Sequence, residues 1–116
     1  MTFSNAGHQD IRTYLKNNWN WIAVVADNGS EQLRWDTLNN GNVTIISDET
    51  NNPVTVELEI TGADVSGNLP VTLTKTEAYK GSGTSSSMGS DTMTNATLEA
   101  NGDTVTITHN YEHPPQ

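Results

Sequence analysis

The sequence predicts a mainly β fold, an antiparallel β-sandwich or partly open barrel of about six strands with one short N-terminal helix. Two segments carry most of the prediction. From Pro53 to Thr61, Val54, Val56, Leu58 and Ile60 alternate with Thr55, Glu57, Glu59 and Thr61. From Asp103 to Tyr111, Val105, Ile107, His109 and Tyr111 alternate with Thr104, Thr106 and Thr108. A two-residue period is the geometry of a strand with one buried face. Threonine suits the wet face, because its β-branched side chain fits the pleat while its hydroxyl meets water. The third observation is Asn101-Gly102 just before the second segment, the composition of a hairpin turn with glycine free to take positive φ.

Only the N-terminus reads as helix, over about residues 5–16. Ser4 or Asn5 can cap it by accepting a backbone N–H, and Ile11, Tyr14 and Leu15 share a face at helical spacing. Asp10 lies toward the start and Lys16 toward the end, as the helix dipole favours, and Asn17-Asn18 stops the helix. Trp19 and Trp21 share a side of the next segment, which continues as the apolar run Ile22 to Ala26 and reads as a buried strand. Asp27 to Ser30 is a turn by composition. Glu31 to Leu38 fits either a single helical turn or a loop carrying Trp35.

After the turn Asn39 to Asn42, a strand at Val43 to Ile46 and the segment from Pro53 form a hairpin, with the missing proline N–H harmless at a strand's first position. Val71, Leu73 and Lys75 then share one face of a strand ending near Tyr79. Residues 81–90, GSGTSSSMGS, have almost nothing to bury and read as a mobile or partner-ordered loop. A strand resumes from Met93 to Ala100. The tail from His113 contains Pro114 and Pro115, which remove donors, so it either hangs free or lies on a neighbour.

Composition bounds the rest. A chain of 116 residues makes one domain, 1–116, that buries roughly two thirds of its unfolded surface. Its 33% hydrophobic content is low, yet it sits in periodic runs, which argues against wholesale disorder. Fourteen acidic against five basic residues give a formal net charge of −9, which repels phosphate and anionic membranes, so neither nucleic acid nor membrane is an expected partner. The lack of cysteine excludes disulfides and zinc-thiolate sites. No apolar run approaches the length of a membrane span, and residues 1–10 lack the regions of a signal peptide. If the chain leaves a cell, it travels as part of something larger.

No motif marks a reactive centre. His109 and His113 flank Glu112, but a core-facing His109 and a histidine before prolines need not converge, so we read them as satisfied or surface histidines rather than metal ligands. Asp27, Asn28, Ser30 and Glu31 lack the ligand spacing of a calcium loop and read as a solvated turn. Ser82, Ser85, Ser86 and Ser87 come without a partnering histidine and acid or a nucleophile elbow. Gly81-Ser82-Gly83 echoes a phosphate loop without the following lysine. Three glycosylation acceptor patterns, at Asn28, Asn42 and Asn95, are what a chain this rich in asparagine and threonine produces by chance. No cofactor, metal site or enzymatic activity is expected. Trp19, Trp21 and Trp35 read as packing or interface residues, with sugar stacking as the other use of aromatic rings on a β scaffold.

The opening TFSNAGHQDIRTYL followed by WIAVVADNG resembles the start of small tail-associated proteins of tailed viruses, in which a "TNAG…IRD" helix precedes an "IAVG" strand. VTVELEITGADVSG, LPVTLTKTEAY and the close MTNATLEANGDTVTITHNY are similar to that family's later strands, small-residue insertion and final hairpin. The chain departs from the pattern at SEQLRWDTL, where the family carries a Gly-Thr-rich loop, and at His109 and Tyr111. The resemblance implies a non-enzymatic virion component of the tail, baseplate or fibre attachment, partnered by copies of itself and other virion proteins. A capsid decoration or turret subunit would use the same scaffold, and a carbohydrate-binding module binding a host glycan is the alternative of another class. The acidic excess with three lysines resembles proteins of salt-loving hosts, which implies a virus of a halophilic archaeon. The expected interface anchors are Phe3, Trp19, Trp21, Trp35, Met88, Tyr111, Pro114 and Pro115, large or rigid groups beside backbone free to order on a partner.

Overall fold

Two antiparallel sheets face each other in a computed structural model that describes residues 1–115. Helix α1 (Asn5–Asn18) leads into β1 (Trp21–Ala26), β2 (Glu31–Asp36), β3 (Val43–Ser47) and β4 (Val54–Thr61). After a 3-10 turn at Gly62–Asp64 come β5 (Val71–Tyr79), β6 (Gly89–Leu98) and β7 (Thr104–Tyr111). One sheet has the order β2-β1-β5-β6 and the other β3-β4-β7. The fold is therefore the expected β-sandwich with one short helix.

The alternating segments behave as their period dictates. Val54, Val56, Leu58 and Ile60 of β4 are fully buried, and β7 adds Ile107, His109 and Tyr111 from the same side. From the opposite sheet Ile22, Val24, Leu33, Leu73 and Leu98 meet them. Each such aliphatic contributes roughly 1.5–3 kcal/mol through burial, so β4 alone is a large part of what holds the sandwich closed.

Four local readings of the sequence are corrected. Glu31 to Asp36 is neither helical turn nor loop but strand β2, paired along β1 with Ile22 opposite Trp35 and Val24 opposite Leu33. Leu33 and Trp35 point to the core, while Gln32 and Arg34 take the other face and are used there: the Gln32 side chain accepts the Gly67 N–H at 2.8 Å. Lys75 does not share a face with Val71 and Leu73. Between Val25 and Ala26 the β1–β5 pairing skips Thr74, and this bulge reverses the alternation, so Thr76 and Ala78 turn inward. Asn101-Gly102 does not close a hairpin. β6 pairs with β5 and β7 with β4, so this turn carries the chain from one sheet to the other. Its glycine lacks positive φ; Asp103 shapes it by accepting the N–H groups of Glu99 and Ala100 at 2.9 and 3.0 Å. Strand β6 also starts at Gly89, inside the segment expected to be loop.

The helix extends two residues beyond its expected end, to Asn18. Ser4 is the N-cap, its hydroxyl accepting the Gly7 N–H at 3.2 Å, and the Trp19 N–H closes the C-terminus on the Leu15 carbonyl. Leu15 packs against the core, but Tyr14 is 54% exposed. The residue the helix buries is Arg12.

Candidate functional site

Where α1 ends against β6 and β7, a cleft of about 290 Å³ opens among Trp19, Met88, Asp91, His109, Tyr111 and Glu112. Each strand delivers its part by alternation: β7 points His109 and Tyr111 inward, and the start of β6 brings Asp91 to the rim. His109 is 3% exposed, with Nδ1 2.7 Å from the Thr76 hydroxyl and 3.6 Å from the Asp91 carboxylate. Burial holds its pKa down, to about 4, against the opposing pull of Asp91, so the ring is neutral at pH 7. Burial likewise pushes the Tyr111 hydroxyl well above its ordinary range; it stays protonated and donates to the Trp19 carbonyl at 2.6 Å. The Asp91 carboxylate accepts the Asn110 N–H at 2.6 Å, bridging the edges of the two sheets. The cleft thus spends its titratable groups on contacts within the fold.

Trp19, Met88 and Tyr111, three of the anchors expected from sequence, meet in this cleft, although Tyr111 is buried and serves the core. The other two tryptophans lie elsewhere. Trp35 packs inward, and Trp21 stands opposite Asp36 and Tyr79 on the outer face of its sheet. Trp19 caps the helix, so the three rings do not form the row that sugar stacking would use.

Phe3 lies edge-on to the His8 ring, and His8 Nδ1 is 3.1 Å from His113 Nε2. Arg12 donates to the carbonyls of Glu49 and His113 at 2.9 and 2.8 Å, and Lys16 pairs with Glu49 at 2.7 Å. Asn52 donates to the Pro114 carbonyl and accepts the His113 N–H. The tail around Pro114 is therefore held by its own fold rather than hanging free. Sequence reasoning missed Arg12 and His8 here; a lone arginine on the apolar side of a short helix was the available sign.

The serine-rich segment is also partly tied down. Arg34 lies 3.6 Å over the Tyr79 ring, pairs with Glu31, and donates to the carbonyls of Gly81 and Thr84 at 3.0 and 2.7 Å. Arg34→Ala should cost about 2 kcal/mol, the scale of hydrogen bonds to a charged group. Limited proteolysis should then cut residues 81–88 faster while the β circular-dichroism spectrum is kept; an unchanged cleavage rate would show that the segment holds itself.

A last surface is apolar. Ile45 and Ile46 on β3 are 38% and 52% exposed. β3 is an edge strand, paired only with β4. No protein family, curated protein or solved structure matches the chain.

Proposed function

We propose that the chain is a non-enzymatic structural subunit of a tailed-virus particle, present in several copies in the tail, baseplate or fibre attachment and bound to copies of itself and to other virion proteins. The observation that carries the assembly part of this reading is the open edge of β3. An unpaired ladder on a strand that also exposes Ile45 and Ile46 is a surface that soluble proteins ordinarily blunt. Covering it with another subunit removes both the apolar area and the unpaired backbone groups from water. Support for a non-catalytic role comes from the cleft, whose histidine, tyrosine and aspartate are committed to the fold. The virion placement rests on the resemblance described above, and the net charge of −9 suits a saline host environment.

Two measurements test the reading. Light scattering at micromolar concentration should show an oligomer for the native chain and a folded monomer for Ile46→Lys, since a lysine on an exposed edge blocks pairing without entering the core. Monomer in both cases would remove the β3 edge as an assembly surface. Immunogold labelling of purified particles should place the protein at the tail; label on the capsid shell would move it to decoration, and absence from particles would end the virion reading.

A further inference from the structure

We propose that His8 and His113 form a binding site for one divalent transition-metal ion of the zinc, nickel and copper class, which ties α1 to the C-terminal segment. The two ring nitrogens are 3.1 Å apart, although the residues are 105 positions apart in the chain. Zinc–nitrogen bonds of about 2.0–2.1 Å place two imidazole nitrogens roughly 2.9 Å apart at a right angle and about 3.4 Å apart at the tetrahedral angle, so the pair already spans one ion. Without an ion the same contact is a single N–H···N bond that only two of the four combinations of neutral tautomers can make. With an ion, both lone pairs face the same centre.

Each ligand is held from a separate direction. His8 rides on the first turn of α1, fixed by the Ser4 cap, with Phe3 edge-on to its ring. His113 is positioned through its backbone, whose carbonyl accepts from Arg12 and whose N–H donates to Asn52. Both rings are half-buried, open enough for an ion to enter from solvent. The Arg12 guanidinium donates to the His113 carbonyl and to that of Glu49, whose carboxylate pairs with Lys16. Among the described residues no third histidine, aspartate or glutamate gathers at the pair, so water fills the remaining positions. Two imidazoles and water favour borderline ions over calcium or magnesium, which take oxygen ligands.

Titrating the full chain with zinc chloride in a calorimeter at pH 7.5 should show one saturable site of micromolar order. His8→Ala and His113→Ala should each weaken it by about tenfold or more, because each removes one of two protein ligands. His109→Gln should leave it unchanged. Zinc should also raise the melting temperature of the native chain and of His109→Gln but not of the other two variants, and EDTA should reverse the rise. Magnesium should do neither. Absence of saturable zinc binding below 1 mM, or binding as tight as the native chain's by either His8→Ala or His113→Ala, would overturn the site.

Discussion

Taking the protein from pH 7 to pH 4 should remove about 3 kcal/mol of folding stability through His109 alone. The ring is neutral and buried in the fold, with a pKa held at about 4, whereas in the unfolded chain it titrates near 6.5. A folded pKa below the unfolded one means that the unfolded chain takes up the proton first as pH falls. The stability is therefore fully present above pH 6.5 and is lost progressively down to about pH 4, a gap of roughly 2.5 units at 1.36 kcal/mol each. The groups facing the ring are the Thr76 hydroxyl and the Asp91 carboxylate. Urea melts at intervals between pH 7 and 4.5 should give a falling free energy for the native chain and a much flatter curve for His109→Gln, which keeps a polar partner for Thr76 but cannot titrate. Parallel curves would show that His109 is solvated when charged and that the drop belongs to other groups.

Gly62→Ala should cost about 3 kcal/mol, at the upper end of what overpacking a tight site costs. A Cβ at this position would fall on the carbonyl of Ala100, and backbone rather than a flexible side chain is what it meets. Neither segment is free to move away, because the Gly62 N–H donates to the Asp103 carbonyl at 2.9 Å and Asp103 holds the crossing between β6 and β7. For a domain of this size the loss corresponds to a melting temperature lower by about 10–15 °C. Gly41→Ala and Gly83→Ala, where a Cβ meets open space, should be close to neutral and serve as controls. A Gly62→Ala protein that melts with those controls would mean that the crossing turn relaxes freely.

What could be read from the sequence was whatever depends on period alone. The β4 and β7 alternation placed nearly all of their core residues correctly, because one buried face leaves a repeating trace regardless of neighbours. β2 left no such trace. Its outward residues Gln32 and Arg34 are polar yet well covered, one by the loop around Gly67 and the other by Tyr79 and the turn at Gly81 to Thr84, so neither face read as simply wet or dry. The turn at Asn101-Gly102 was misread for a different reason. Its composition specifies a reversal of direction, but whether the next strand pairs with the last or crosses to the other sheet is decided by tertiary partners. The cleft was half legible: Trp19, Met88 and Tyr111 stood out as large side chains, whereas Asp91 and the capture of the chain end by Arg12 involve residues far apart in sequence and ordinary in composition.

The extra residue at Thr74 gives β5 a phase as well as a pattern. Leu73 is in step with the first part of the strand and Thr76 and Ala78 with the second, while Lys75, Glu77 and Tyr79 look outward only because one position was skipped. Such a strand can drift in composition position by position, since each substitution affects one side chain. It cannot gain or lose a residue so easily. Only at the bulge is a loss absorbed: deleting Thr74 removes the extra residue itself and leaves Leu73, Thr76 and Ala78 inward, whereas deleting Glu77 beyond it would turn Ala78 away from the core. Over evolutionary time β5 should therefore tolerate exchange throughout and a change of length only at the bulge, and further length variation should collect in the serine-rich segment that follows it.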